Sequence, residues 1–199
     1  MAGRGFEPII GVAELMRGFG RPWFVSGGWA IDLFVGRVTR EHEDIEIGAF
    51  FPDQAAIRRH LDGWELLRVE GDSWVPWPAG DGIVLPEFQI QARSADVAPN
   101  QLDVFLNPRD GDDWVSRRHA DLRVPIRSLS LRTTGRHGEP ARVPYLVPEI
   151  QLLYKAKYHR PKDDADFDAA LPRLGRSRRD WLRLALIAHH PGDRWLDRL

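Results

Sequence analysis

Two carboxylates placed two residues apart have the clearest chemical potential in this sequence. Asp44 and Glu46 alternate with Ile45 and Ile47, a period-two pattern that predicts a strand with one apolar and one polar face. Both carboxylates then point from the same face, where they repel each other unless a cation lies between them. A hard divalent cation such as Mg²⁺ prefers oxygen ligands in that arrangement. The alternative is that the pair only forms the solvated side of the strand.

A third acidic residue favours the metal site. Asp103 lies within an apolar run, 102–106, that also predicts a strand. Because a lone buried aspartate is costly, it either ligates a metal or lies on an exposed face. Two magnesium ions about 4 Å apart usually need a third carboxylate from a neighbouring strand. Asp103 is therefore the candidate to complete the site or to act as general base, and Glu87, at the start of an earlier predicted strand, is the alternative base.

A glycine turn precedes the carboxylate pair. Ser26, Gly27 and Gly28 lie between a short predicted strand, 22–25, and a predicted helix that stops at Gly36. The glycines can serve only to permit the backbone angles of the turn. In the functional interpretation, their missing side chains let the β and γ phosphates of a nucleotide approach the N–H groups at the helix N-terminus, with the Ser26 hydroxyl as a further donor. The position upstream of the carboxylates favours phosphate binding.

The motifs, in their order, resemble the nucleotidyltransferase superfamily with a polymerase-β-like core, and specifically the branch of aminoglycoside 2″-adenylyltransferases and lincosamide nucleotidyltransferases. The first part of the resemblance is Gly27-Gly28-Trp29-Ala30-x-Asp32, then Gly36-Arg37-x-Thr39-Arg40-x-His42-x-Asp44-Ile45-Glu46. The second part is Pro148-Glu149-x-x-Leu152-Leu153-x-Lys155, then Arg160-Pro161-Lys162-Asp163-Asp164-x-Asp166-Phe167. The resemblance implies an α+β fold, a polymerase-β-like mixed sheet flanked by helices, with a small C-terminal helical region.

The resemblance also implies roles for individual residues. The nucleotide-binding candidates are Ser26, Gly27, Gly28, Arg40, Lys155 and Lys162. The candidates for catalysis and for holding the metals are Asp44, Glu46 and Asp103. Outside the motif, the lysines and arginines would be interpreted as solvated surface residues. Glu46 stands where this branch usually has aspartate, and its longer side chain can still reach a cation.

Composition sets the outer bounds of the interpretation. The chain has 199 residues, 43% of them hydrophobic, and a formal charge of −1, which is typical of a globular protein and gives no indication of nucleic-acid or membrane binding. It has no cysteine, so disulfides and thiolate metal sites are excluded. No apolar run approaches the length of a membrane span, and we expect a cytoplasmic protein by default.

The pattern of elements predicts two regions. Residues 1–141 alternate helix and strand and are predicted to form the catalytic domain, and residues 142–199 are predicted to form a helical region. Predicted helices cover 8–19, the stretch before Gly36, and a segment capped by Asp53. Predicted strands cover 64–69, 73–77, 87–92 and 101–106, with only a weak strand at 129–131. In the C-terminal region, Ser177 and Asp180 predict a capping box for the last helix.

These features together predict a metal-dependent nucleotidyltransferase. A hydroxyl of an acceptor would attack the α-phosphorus of a nucleoside triphosphate, with ATP as the expected donor and two Mg²⁺ ions as cofactors. The leading acceptor class is a small molecule such as an aminoglycoside or a lincosamide antibiotic. The alternatives are a toxin-like enzyme that modifies RNA or protein, which the near-neutral charge disfavours, and a catalytically silent domain that only binds. The oligomeric state is not predicted.

Overall fold

The computed structural model describes residues 5–136, 138 and 140–199, whose backbone forms two β-sheets and six α-helices. The strands are β1 (Phe24–Val25), β2 (Glu46–Phe50), β3 (Glu65–Glu70), β4 (Ser73–Pro76), β5 (Gln89–Arg93), β6 (Gln101–Asn107), β7 (Arg109–Asp110), β8 (Asp113–Val115), β9 (Arg123–Pro125), β10 (Ser130–Arg132) and β11 (Pro144–Leu146). The helices are α1 (Glu7–Leu15), α2 (Gly27–Val35), α3 (Gln54–His60), α4 (Pro148–Lys155), α5 (Pro161–Ala170) and α6 (Arg176–His189). The protein therefore contains both helices and strands, as predicted from the sequence.

Strand β2 lies inside a mixed eight-stranded sheet with the order β10-β11-β1-β2-β6-β5-β3-β4. It runs antiparallel to β1 and parallel to β6. In this register Glu46 is opposite Asp103, and Asp103 is opposite Gln91 of β5. Because residues in register point to the same face of a sheet, these three polar side chains form a row across three strands.

The opposite face of the same strands is apolar and anchors the sheet. Ile47, Val104 and Ile90 follow one another across β2, β6 and β5 and are fully buried. They share one hydrophobic core with residues of α1, including Ile9 and Val12. Side chains alternate between the two faces of a strand, so burial of this row holds the acidic row on the other face.

Helix α2 lies between the two hydrophobic cores of the protein. Its Trp29 and Leu33 belong to the core of the sheet. Its Ile31 and Val35 instead pack in a second core formed with α4, α5 and α6. The start of α2, where the glycine turn lies, is therefore fixed between the sheet and the C-terminal helices. No helix among the described residues combines the length and the apolar character that crossing a membrane needs.

Three short strands after β6 form a separate sheet with the order β7-β8-β9. This sheet is joined to the main sheet by buried Trp114, whose Nε1 donates to Asn107 Oδ1 at 3.1 Å. The connection places the loop between β8 and β9, which contains Arg117 and Arg118, beside the polar face of the main sheet. This small sheet is not among the elements that the sequence predicts.

The predicted α+β class with a mixed sheet and flanking helices is confirmed. Two local predictions are wrong. Helix α6 begins after Gly175 without a side-chain cap, and the capping box instead lies at the start of α5, between Arg160 and Asp163. Helix α1 ends at Leu15, four residues before the predicted end at residue 19. The division of the chain between residues 141 and 142 stays a prediction; β11, just beyond it, pairs with β1 and β10 in the main sheet.

Candidate active site

The glycine turn is held in place by both the sheet and helix α4. Gly27 has a φ of +68°, a left-handed conformation that favours glycine. Its N–H donates to the side-chain oxygen of buried Gln151 at 2.8 Å, and the Ser26 N–H donates to the Glu46 carbonyl oxygen at 2.9 Å. A Cβ atom at Gly27 would overlap the Glu46 carboxylate. The turn therefore touches the acidic face of β2 directly.

The carboxylates of Asp44 and Glu46 are left without protein partners. Neither side chain makes a hydrogen bond or an ion pair with any residue that the structure describes. Burial, together with the charge of Asp44, raises the pKa of Glu46 from 4.5 to about 7. These two carboxylates are called the unpaired carboxylates below. Glu46 is partly buried beside the exposed Asp44, so the two acidic groups repel each other, although the charges of Lys155 and Lys162 oppose this effect.

Asp103 occupies the neighbouring position on β6. Its carboxylate accepts a hydrogen bond from Gln91 Nε2 at 3.1 Å, and the side chain is buried. Burial raises its pKa, an effect that the Gln91 hydrogen bond opposes and the nearby Asp44 charge reinforces. The alternative base, Glu87, lies two residues before β5 begins and does not line the cavity described below.

The donor set fits a hard divalent cation in its chemistry. Asp44, Glu46 and Asp103 bring three carboxylates together, and the raised pKa values of Glu46 and Asp103 indicate a repulsion that a cation would relieve. Over residues 5–136, 138 and 140–199, no three His, Asp or Glu side chains already converge closely enough to hold an ion. The carboxylates thus supply the ligand type without forming a preassembled coordination site.

In contrast to the unpaired carboxylates, three basic side chains at the site are held by two aspartates of α5. Asp166 is fully buried and binds Arg40 through two hydrogen bonds, of 2.8 and 2.9 Å, and Lys155 Nζ at 2.7 Å. Asp163, also fully buried, accepts from Lys155 Nζ at 3.2 Å and from Arg160 Nε at 2.8 Å. Arg40, Lys155 and Arg160 are called the paired cations below. Two buried carboxylates therefore hold three positively charged side chains at the site.

A second polar network fixes the loop between α2 and β2. Buried Asp32 accepts hydrogen bonds from the N–H of Thr39 at 3.0 Å and from its hydroxyl at 2.5 Å. Its other oxygen lies 2.5 Å from His42 Nε2, and the His42 ring packs on Trp29 with 4.4 Å between ring centroids. A Cβ atom at Gly28 would overlap both Arg40 and His42. The second glycine is therefore required for this loop to lie against the helix.

These groups surround one cavity of about 250 Å³. Of the candidates predicted from the sequence, those that line it are Ser26, Gly27, Gly28, Arg40, Asp44, Glu46, Lys155 and Lys162. Asp103 does not line the cavity, although it is adjacent to Glu46 in the sheet. Lys162 is half-exposed, and its Nζ lies 3.7 Å from the exposed Glu43 carboxylate. The structure thus brings the glycine turn, the acidic pair and the basic candidates together.

Other side chains of the site were not predicted from the sequence. Gln151 and Asp166 contact the turn and Arg40 across 124 and 126 residues of chain, and no local pattern marks such contacts. Asp166 does lie in the motif that carries the family resemblance, which was the available signal. Arg117 and Arg118 also line the cavity, but they lie in a stretch without interpretable periodicity.

The chain is similar to proteins of known family and fold. Residues 8–74 match the family model for aminoglycoside-2''-adenylyltransferase. The sequence has no match among the curated proteins. The fold is that of similar nucleotidyltransferase structures, and the predicted resemblance to the antibiotic adenylyltransferase branch is confirmed.

Three solved structures of antibiotic-modifying proteins have a fold similar to that of this chain. A solution structure of the antibiotic-resistance factor ANT(2'')-Ia has a TM-score of 0.58 and 18% identity, over 91% of this chain and 90% of that one. The crystal structure of ANT(2")-Ia in complex with adenylyl-2"-tobramycin has a TM-score of 0.57 and 17% identity, over 90% of this chain and 95% of that one. The crystal structure of the lincosamide antibiotic adenylyltransferase LnuA with bound lincomycin has a TM-score of 0.56 and 16% identity, over 82% of this chain and 94% of that one. At these identities the similarity establishes a shared fold.

Proposed function

We propose that this protein transfers a nucleoside monophosphate group, with ATP as the donor, to a hydroxyl group of a small molecule and releases pyrophosphate. The observation that carries the proposal is the direct contact between the glycine turn and Glu46, inside a cavity that Arg40 and Lys155 also line. Phosphates at the turn would meet the Ser26 hydroxyl and the cations on one side and the acidic pair on the other, while the Gly27 N–H is used by Gln151 to fix the turn.

In the proposed step, the acceptor hydroxyl oxygen forms a bond to the α-phosphorus of the triphosphate. The bond from that phosphorus to the bridging oxygen breaks, and pyrophosphate leaves with the bonding electrons. The hydroxyl proton passes to a general base. Asp103 suits this duty because it is adjacent to Glu46 in the sheet and its pKa is raised, which increases its affinity for a proton.

The site residues predicted from the sequence then have defined tasks. Ser26, Gly27 and Gly28 bind the triphosphate through the turn, and Arg40, Lys155 and Lys162 compensate its charge. Asp44 and Glu46 would hold Mg²⁺, and Asp103 would be a third donor only if it does not act as the base. When bound, Mg²⁺ supplies neutralisation of the negative charge on the phosphates. The buried contacts of Asp163 and Asp166 keep the paired cations oriented before nucleotide arrives.

A small-molecule antibiotic is the acceptor class to test first. The family model that matches residues 8–74 is that of an aminoglycoside adenylyltransferase, and two of the similar structures contain lincomycin or an adenylylated tobramycin. The cavity volume of about 250 Å³ suits part of a small ligand better than a long polymer groove.

Pyrophosphate release measures the proposed reaction directly. Each of the four common ribonucleoside triphosphates would be incubated with Mg²⁺ and with tobramycin, lincomycin or transfer RNA. We expect release with ATP and a small-molecule acceptor, and loss of release in Asp44→Asn. Asp112→Asn, at a fully exposed carboxylate of the small sheet, is the matched control and should retain activity. Equal activity of Asp44→Asn and wild type would refute the assigned site.

A further inference from the structure

His42 lies in the loop between α2 and β2, two residues before Asp44, and has no task in the proposed chemistry. Its side chain is 2% exposed and does not line the cavity, so the imidazole is not placed to contact a ligand. Its Nε2 atom lies 2.5 Å from a side-chain oxygen of Asp32, which is fully buried on α2. Because a carboxylate only accepts hydrogen bonds, Nε2 is the donor. The imidazole therefore ties the loop to α2.

The ring of His42 is confined on its other sides as well. It packs on the ring of Trp29 with 4.4 Å between ring centroids. Its Nδ1 and Cε1 atoms occupy the space that a side chain at Gly28 would need. The hydrogen bond to Asp32, the Trp29 ring and the backbone at Gly28 all belong to α2. The ring is thus fixed to one helix by three contacts, and it fixes the loop in turn.

Asp44 needs such an anchor because it lies outside the sheet. Strand β2 begins at Glu46, so the hydrogen bonds of the ladder do not include Asp44. Its side chain is exposed. On one side of Asp44, the Ile45 carbonyl oxygen accepts from the Asp103 N–H at 2.9 Å. On the other side, the nearest buried side chain of the loop is that of His42. The place of Asp44 is therefore set by the start of strand pairing and by His42.

Arg40, the phosphate-binding candidate of the same loop, has an anchor of its own. Its guanidinium donates two hydrogen bonds to Asp166, of 2.8 and 2.9 Å. Loss of the His42 hydrogen bond would leave this contact in place. The effect of His42 should therefore fall on Asp44 more than on Arg40, which separates metal binding from nucleotide binding.

We propose that His42 is a positioning residue, which holds the Asp44 carboxylate where a divalent metal ion needs it. This assignment rests on the proposed function, because it takes Asp44 as a metal ligand. A ligand that the protein does not hold must be ordered when the ion binds, and this ordering weakens binding. Groups that orient a metal ligand typically contribute roughly ten- to a hundredfold to metal affinity or activity.

Two amide substitutions isolate the hydrogen bond to Asp32. The side-chain nitrogen of glutamine is as many bonds from the backbone as imidazole Nε2, so His42→Gln can still donate to Asp32. The nitrogen of asparagine corresponds to Nδ1, so His42→Asn loses this hydrogen bond. Both variants lose the ring that packs on Trp29. A difference between them therefore reports the hydrogen bond and not the packing.

Metal binding is measured with Mn²⁺ in place of Mg²⁺, by electron paramagnetic resonance, in the complex with a non-hydrolysable ATP analogue. His42→Asn should weaken Mn²⁺ binding by roughly ten- to a hundredfold, and His42→Gln should stay within about threefold of wild type. In pyrophosphate release, kcat of His42→Asn should fall by a similar factor. Its KM for ATP should change by less than about threefold, because Arg40 keeps its partner. A residue that only supports the fold would not produce this difference between kcat and KM.

His60→Asn is the matched control. His60 Nε2 lies 2.8 Å from the Leu15 carbonyl oxygen, and its ring packs on Phe19 with 5.2 Å between ring centroids. His60 does not line the cavity. The control variant therefore loses a comparable hydrogen bond and aromatic contact away from the site. It should have a lower melting temperature and unchanged Mn²⁺ binding when every variant is measured below its melting temperature.

Each outcome decides the assignment. Wild-type Mn²⁺ binding by His42→Asn, or binding by His42→Gln as weak as that of His42→Asn, would overturn it. If His42→Asn does not fold, His42→Gln decides alone: binding within about threefold of wild type supports the assignment, and weaker binding overturns it. Failure of wild-type protein to bind Mn²⁺ with the ATP analogue would refute the proposed function itself. Normal wild-type binding that is unchanged in His42→Asn would refute only the role of His42.

Discussion

The paired cations and the unpaired carboxylates line the same cavity and are stabilised in opposite ways. Arg40, Lys155 and Arg160 have buried aspartate partners at 2.7–3.2 Å. Asp44 and Glu46 have no partner among the described residues, and the pKa of Glu46 is raised to about 7. The first group is oriented by the protein alone, whereas the second, under the proposed function, would gain its partner with the metal.

The difference shows which part of the site supports the fold and which part opposes it. Removing a member of a buried ion pair leaves a charge desolvated without compensation, so the paired cations and their aspartates are needed for stability. Removing one of two repelling acids relieves repulsion, so the carboxylates cost stability, and under the proposed function they serve activity instead. Substitutions in the two groups should therefore have opposite effects on unfolding.

The largest expected effect on stability is that of Asp166→Ala. This change leaves Arg40 and Lys155 without their shared buried partner, and we expect the free energy of unfolding to fall by roughly 3–5 kcal/mol. Urea denaturation measures the loss. Asp168→Ala, on the same helix, removes only the exposed pair with Arg198 and should cost less than about 1 kcal/mol. Equal losses in the two variants would show that the buried pairing does not stabilise the protein.

The next largest effect is on activity, in Glu46→Gln. Loss of this carboxylate should lower kcat/KM for nucleotidyl transfer by at least about a hundredfold, since charge neutralisation by a metal contributes several kcal/mol. In the opposite direction, its melting temperature without metal should equal or exceed that of wild type, because the repulsion with Asp44 is gone. Calorimetry measures the melting temperature, and pyrophosphate release measures kcat/KM. A Glu46→Gln variant that is as active as wild type and less stable would contradict the proposed difference between the carboxylates and the paired cations.

The raised pKa of Glu46 also predicts a pH dependence of stability. Between pH 4.5 and about 7 the folded protein keeps a proton on Glu46 that the unfolded chain has lost. The folded state binds more protons there, so stability decreases as pH rises through this window, by roughly 1–3 kcal/mol. Chemical denaturation of metal-free wild type at several pH values measures this slope, and Glu46→Gln should reduce it. An identical slope in the variant would assign the effect to other groups.

Local patterns in the sequence were sufficient for the elements that carry the motifs. Alternation of Ile45 and Ile47 with the acids predicted β2, and glycines at both ends predicted α2, and both elements are present. Strand β2 begins at Glu46, so Asp44, which was predicted to lie on the strand, lies two residues before it. Strands β7 to β9 have only two or three residues each, too few for a period to be recognised. Arg117 lies in this region, which is why it was not a candidate.

Long-range pairing accounts for what was missed within the site itself. The sequence indicated Arg40 and Lys155 as phosphate-binding candidates, but not that one buried aspartate holds both. That pairing joins residues 126 positions apart and exists only after α5 packs on α2. The composition of a cavity can thus be predicted from motifs, while the state of its charges depends on tertiary contacts.

The smallest expected effect is on stability in Lys162→Met, and it separates the two kinds of cation at the site. Unlike the side chains of Arg40 and Lys155, which are 19% and 7% exposed, that of Lys162 is 37% exposed. It lies 3.7 Å from the carboxylate of Glu43, which is itself 90% exposed. Such a pair is screened by water, so its loss should change the free energy of unfolding by less than about 0.5 kcal/mol. The KM for ATP should nevertheless rise by about tenfold if Lys162 contacts phosphate, because a charge-assisted contact disappears. Lys157→Met, at a lysine that does not line the cavity, is the control. An unchanged KM would place Lys162 outside the nucleotide site, so that only the paired cations would compensate the charge of the triphosphate. Large destabilisation of Lys162→Met would show that Lys162 supports the fold.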